Sequence, residues 1–156
     1  MSRFTRRTAA LLVLLLMATT PGPGAARRGP ALLEVRTVGR GVVWQAPIAD
    51  GERFELTFTH SVEHSRWIHH YTAVPGAVAQ IGSTFTAFGA GMPPTASDGA
   101  PLVRTAHGYF AAAPMRIPVL RMLNSRAAEV TLGYRGRPVA LGLLVDDFEA
   151  FEIRVR

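Results

Sequence analysis

The chain predicts an all-β fold: a single-domain antiparallel β-sandwich or partly closed barrel of about eight to ten short strands, with little helix. Three observations carry that expectation. Apolar and polar residues alternate over short runs, as in Phe54-Glu55-Leu56-Thr57-Phe58-Thr59. After the first 26 residues, no stretch repeats its apolar positions at helical spacing for long enough to cover a sheet. Turn-forming pairs such as Pro75-Gly76, Arg135-Gly136 and Asp146-Asp147 punctuate the runs.

Residues 1–26 stand outside that domain as an expected signal peptide. Arg3, Arg6 and Arg7 make a basic start, and Ala9 to Ala18 is an almost unbroken apolar run. Pro21-Gly22-Pro23-Gly24 then breaks any helix ahead of the small residues Ala25 and Ala26. The run is about half of the roughly 20 residues that span a bilayer, so a retained membrane anchor is the lesser reading. Thr5-Arg6-Arg7 is a weak match to a twin-arginine signal, because Ala9 and Ala10 stand where bulkier apolar residues usually follow, and either export route is compatible with the segment. The expected product is exported and extracytoplasmic or periplasmic, touching a membrane only through this segment. That leaves 27–156 as one β domain.

Strand candidates follow in order. Leu33–Val38 and Val42–Gln45 flank Gly39-Arg40-Gly41. Phe54, Leu56 and Phe58 face inward while Glu55, Thr57 and Thr59 face out. Trp67–Val74 ends at Pro75-Gly76 and is placed to pair with the preceding strand. Val78–Ile81 and Thr84–Phe88 read as one strand interrupted by a bulge at Gly82. Residues 89–106 hold four glycine or proline singles and a Pro93-Pro94 pair, and read as one long loop of the kind that is either functional or disordered. Tyr109–Ala112 and Ile117–Leu123 are further short strands, and 122–128 allows one helical turn. Val130, Leu132 and Tyr134 alternate, Val139–Val145 returns after 135–138, and Phe151, Ile153 and Val155 close the core.

Composition excludes several function classes. There is no cysteine, so a disulfide framework, thiolate-held zinc, a thiol nucleophile and a lipidated cysteine are all absent. All 17 basic residues are arginine against 11 acids; without the three in the leader, 14 remain against 11, a formal +3. They are scattered singly apart from Arg27-Arg28, with no interleaved aromatic platform, so no nucleic-acid partner is expected.

Two strings carry the candidate chemistry. His60-Ser61-Val62-Glu63-His64 spells H-x-x-E-H, a zinc-peptidase pattern when a helix brings both histidines onto one face. Here strand periodicity leads into it, and residues four apart on an extended chain stand about 13 Å from one another. A metal-assisted hydrolase using His60, Glu63 and His64 is therefore the alternative reading, and no metal or other cofactor is the expectation. His69 and His70 point to opposite faces of one strand and read as exposed or edge-strand histidines. His60 shares the inward register of Leu56 and Phe58, which predicts a half-buried ring satisfied by neighbours. Ser61 lacks a nucleophile elbow, so no catalytic residue is assigned. The second string, Gly89-Ala90-Gly91, would expose successive N–H groups as an anion-holding concavity or would simply end a strand. Arg66 and Arg104 are its candidate counter-charges.

With these strings in view, the chain resembles the bacterial domain of unknown function 1850: a strand into His60-Ser61-Val62-Glu63, an aromatic-bearing strand, then Phe85 and Phe88-Gly89-Ala90-Gly91-Met92-Pro93. The resemblance runs from about Leu33 to Val155. It implies a small exported protein working beside tripartite ATP-independent periplasmic (TRAP) transporters of the TAXI type, which take up organic acids. His60, Ser61, Glu63, Gly89 and Gly91 are the family-like positions; His64 and the His69-His70 pair depart from the pattern. The resulting expectation is a non-catalytic accessory module that binds a transporter subunit or a small organic anion. A purely structural β domain is the remaining alternative.

Overall fold

The computed structural model describes residues 30–86 and 102–156. The leader over 1–26 and the Gly89-Ala90-Gly91 string lie outside them. Eleven strands are described: β1 Ala31–Thr37, β2 Gly41–Ile48, β3 Arg53–Thr59, β4 Arg66–Val74, β5 Ala77–Phe85, β6 Val103–Thr105, β7 Gly108–Ile117, β8 Leu120–Leu123, β9 Thr131–Tyr134, β10 Arg137–Ala140 and β11 Ala150–Val155. Among the described residues, helix is confined to two single turns of 3₁₀ type, Arg126–Ala128 and Leu141–Leu143.

Among the described residues two antiparallel sheets pack face to face, and neither closes into a barrel. The smaller has the order β2-β1-β11-β8, the larger β10-β9-β3-β4-β5-β7-β6. The alternation read from the sequence explains the packing. Phe54 and Leu56 of β3, Leu132 and Tyr134 of β9, Leu33 and Val35 of β1, and Phe151 and Ile153 of β11 bury one face of each strand in a common core. Each fully buried large apolar side chain contributes about 1.5–3 kcal/mol relative to exposure. Tyr134 adds a polar tie between the sheets, its hydroxyl donating to the Pro47 carbonyl while Trp44 meets its ring edge-on at 5.9 Å.

The bulge expected at Gly82 is present one residue earlier. β4–β5 pairing runs from His70↔Gly82 to Tyr71↔Gln80, which leaves Ile81 as the extra residue, and the β5–β7 register shifts at the same place. Pro114 of β7 sits opposite this irregularity, where a missing N–H interrupts no regular ladder. Boundaries elsewhere move. The expected loop 89–106 holds β6 at its end, β7 runs unbroken through Met115 where two short strands were expected, and 141–143 turns where a strand was expected to continue.

Candidate functional site

The β3–β4 connection is a closed six-residue loop. The His60 N–H donates to the Ser65 carbonyl and the His64 N–H to the His60 carbonyl, both at 2.9 Å, with His64 in the left-handed region at φ 50°. Thr59 pairs with Arg66 just before the chain leaves the sheet. The loop therefore holds His60, Ser61, Glu63 and His64 at one end of the sandwich. The turn removes the extended separation that argued against shared chemistry. Even so, among the described residues no three of His, Asp and Glu are grouped so as to hold one metal ion.

His60 continues the inward register of β3, as its sequence position implies. Its ring stacks on Trp67 at 4.8 Å. Trp67 in turn heads a cross-strand row: Phe58, Trp67, Phe85 and Tyr109 are register partners on β3, β4, β5 and β7, with successive ring centroids 6.4, 5.0 and 6.2 Å apart. Stacked rings across neighbouring strands stabilise this part of the inner face beyond the area they bury.

Polar satisfaction fails at this hairpin end. The buried His60 Nδ1, Glu63 Oε2, Ser65 Oγ and Trp67 Nε1 have no hydrogen-bond partner among the described residues. Native proteins keep such atoms to a few per hundred residues, and each costs about 1–3 kcal/mol. Four of them within eight consecutive residues are a concentrated debt of hydrogen bonds. His60 was expected to be satisfied by Glu63 or a carbonyl; its Nδ1 is not. Beside the loop lies a cleft of about 400 Å³. Phe58, His60, Ser61 and His64 form one wall, and Met122 and Ser125, at the end of the smaller sheet, face them. His60 links the two features, lining the cleft and stacking on Trp67.

The candidate arginines do not converge. Arg66 alternates with Trp67 and so stands on the outer face, near Glu129 and Thr131. Arg104 is the register partner of Tyr109 and continues the inner-face row at the sheet edge, three strand steps or about 14 Å from Trp67. Their counter-charge role toward Gly89 and Gly91 lies outside the described residues.

The histidine pair needs a correction. β4 is an interior strand between β3 and β5, so neither His69 nor His70 is an edge residue. The two do take opposite faces. His69 is held by Ser83 at 2.9 Å between the rings of Phe58 and Tyr71, and burial lowers its pKa below 6.5, with His70 adding to the effect. His70 faces outward and is bonded at both ring nitrogens. Ser65, Trp67 and Ser83 were not singled out from the sequence. Only Trp67 had a usable signal, an indole in inward register next to a candidate loop.

A family model described as a domain of unknown function (DUF1850) matches residues 54–141, more than half of the chain. No curated protein and no solved structure matches.

Proposed function

We propose that this chain, which belongs to the DUF1850 family, is a binding module whose β3–β4 hairpin end takes a small organic acid. The observation that carries this is the set of four buried polar atoms at His60, Glu63, Ser65 and Trp67 that have no hydrogen-bond partner among the described residues, next to a cleft that His60 lines. Their chemistry narrows the ligand class. Trp67 Nε1 only donates and an ionised Glu63 only accepts, so one molecule satisfying both carries an acceptor and a donor together. Hydroxy acids and amino acids have that combination. The stacked rings behind His60 supply a packed apolar wall, so little side-chain freedom is lost on binding.

The setting in this proposal is extracytoplasmic, beside a tripartite uptake system for organic acids. It is supported by the basic-then-apolar segment over 1–26 and by the family resemblance. Cell fractionation with an antibody to the folded domain tests the location independently of the ligand.

The binding test is a thermal melt of the purified protein against hydroxy acids and amino acids. A ligand at about 100 times its Kd adds roughly 2.7 kcal/mol to the folded state, a readily visible rise in Tm. Trp67→Phe keeps the stacked ring but removes the donor, and His60→Phe keeps the stack but removes Nδ1. Both are expected to abolish a saturable shift. A shift that survives both variants rejects this site, and a flat response across the panel redirects the reading to a protein partner.

A further inference from the structure

The outer face of the larger sheet carries an arrangement separate from the hairpin site. Glu55 and His70 are direct register partners on β3 and β4, and Thr84 on β5 lies one diagonal step from His70. All three side chains share one face. Glu55 Oε1 stands 3.0 Å from His70 Nδ1, and His70 Nε2 stands 2.8 Å from Thr84 Oγ1. An ionised carboxylate only accepts, so Nδ1 carries the proton it receives. In the neutral ring Nε2 is then bare, and the Thr84 hydroxyl donates to it. From these contacts we propose that Glu55, His70 and Thr84 form a carboxylate–imidazole–hydroxyl relay that makes Thr84 a nucleophile toward small carboxylic esters.

The surroundings fit access rather than mere cross-strand bracing. The side chains of His70 and Glu55 are 24% and 48% exposed, and the relay opens into a cavity of about 330 Å³. Gly82, directly opposite His70, leaves the space that the Phe110 ring fills: a Cβ there would stand 2.6 Å from Phe110 Cζ. Phe110, with its ring 6.0 Å from the imidazole, and Ile81 at the bulge give the cavity an apolar wall. β-bulges commonly re-aim side chains beside active sites. Arg53, two residues before Glu55 on the same face, also lines the cavity, where its guanidinium would offset charge on a carbonyl oxygen. The inner-face pair His69–Ser83 makes the contrast clear. It too has an imidazole–hydroxyl bond, made through Nδ1, but Ser83 is buried and no carboxylate among the described residues is bonded to the ring.

The chemistry balances with water as the second reactant. Thr84 Oγ1 bonds to the acyl carbon as its proton passes to His70 Nε2, and the bond to the leaving alcohol breaks as that proton is returned to the alcohol oxygen. Water then attacks the acyl-threonine, giving its proton to Nε2, and the acid departs as Thr84 recovers the proton.

The test uses the purified full chain with p-nitrophenyl acetate, reading nitrophenol release and, by peptide mass spectrometry, acetyl on Thr84. An adduct at Thr84 is expected, absent in Thr84→Val and formed about 10²–10⁴-fold more slowly in His70→Gln. Glu55→Gln, a change to a positioning residue, is expected to lower the acylation rate at saturating ester while leaving the ester concentration for half-maximal rate unchanged. Thr84→Ser keeps the hydroxyl and sheds a hindering methyl, so it should acylate at least as fast. Near-UV circular dichroism confirms that each variant is folded. No Thr84 adduct in the wild type, a His70→Gln rate equal to wild type, or a folded Thr84→Ser that is not acylated each overturns the relay. None of these outcomes bears on organic-acid binding at the hairpin.

Discussion

Removing the Ser83 hydroxyl isolates the value of one buried hydrogen bond in the aromatic stack. In Ser83→Ala, His69 Nδ1 loses its partner at 2.9 Å, while the ring stays between Phe58 at 5.1 Å and Tyr71 at 6.2 Å. Ser83 is only 7% exposed, so water does not readily replace the hydroxyl. Leaving a buried nitrogen unsatisfied costs about 1–3 kcal/mol. A domain of this size shifts its Tm by roughly 4 °C per kcal/mol, so the expected fall is about 4–12 °C. The double variant Ser83→Ala/His69→Phe removes the orphaned nitrogen and keeps a ring in the stack, and should recover to within about 1 kcal/mol of wild type. Urea denaturation of wild type, both single variants and the double closes the cycle. A Ser83→Ala loss below about 0.5 kcal/mol, or a double variant no better than Ser83→Ala, would refute this account. Acid supplies a second readout. Burial lowers the folded-state pKa of His69 below 6.5, so below that pH the unfolded chain takes up a proton that the folded chain resists. Stability therefore falls as pH drops below 6.5 and levels off once the pH is under the folded value. This part of the pH profile should be missing from His69→Phe.

Three further outcomes are expected. Gly82→Ala places a Cβ 2.4 Å from the Ala111 carbonyl oxygen and pushes Phe110 off the sheet, costing about 1–3 kcal/mol in urea denaturation; a neutral substitution would show that the ring does not pack there. Asn124→Ala strips the Nδ2–H bonds to the Val145 and Asp146 carbonyls, 2.8 and 3.1 Å away at a fully buried residue, and should lower stability by about 1–3 kcal/mol by the same measurement. The Arg135 guanidinium, with the Ala49 N–H, holds the Glu52 carboxyl at about 2 rather than 4.5. Its contribution is complete above pH 4.5 and is lost as pH falls through about 2, so the Glu52→Gln deficit, about 0.5–1 kcal/mol for this partly exposed pair, should shrink steadily across that window in denaturation curves.

Legibility of the sequence followed the range of the interaction. Alternation alone oriented Phe54, Leu56 and Phe58 inward and Glu55 outward, and placed His69 and His70 on opposite faces, because side-chain direction in a strand has a period of two. The same rule put His60 in inward register, and the glycine signal placed a bulge at Gly82, one residue from the extra residue Ile81. It did not show that β4 is an interior strand, which turns supposed edge histidines into hydrogen-bonded ones. The hairpin loop was singled out for its polar residues, but its atoms without a partner among the described residues include those of Ser65 and Trp67, whose burial depends on neighbouring strands rather than on their own sequence context.

Strand periodicity, turn residues and the lack of cysteine were enough to specify an all-β domain held together by its core, and to mark His60–His64 as the place to look. Those are local properties, set by the φ/ψ preferences and side-chain alternation of a few consecutive residues. Partition into sheets is a different matter. Pairing β1 with β11, or β9 with β3, joins segments far apart in the chain, and many registers satisfy the same alternation. The meeting of Glu55, His70 and Thr84 shows the consequence: the bulge at Ile81 sets the register between β4 and β5 on its two sides. A one-residue slip there would turn Thr84 to the opposite face, away from His70. Only burial of both sheets against a shared core selects the pairing that brings these three side chains together.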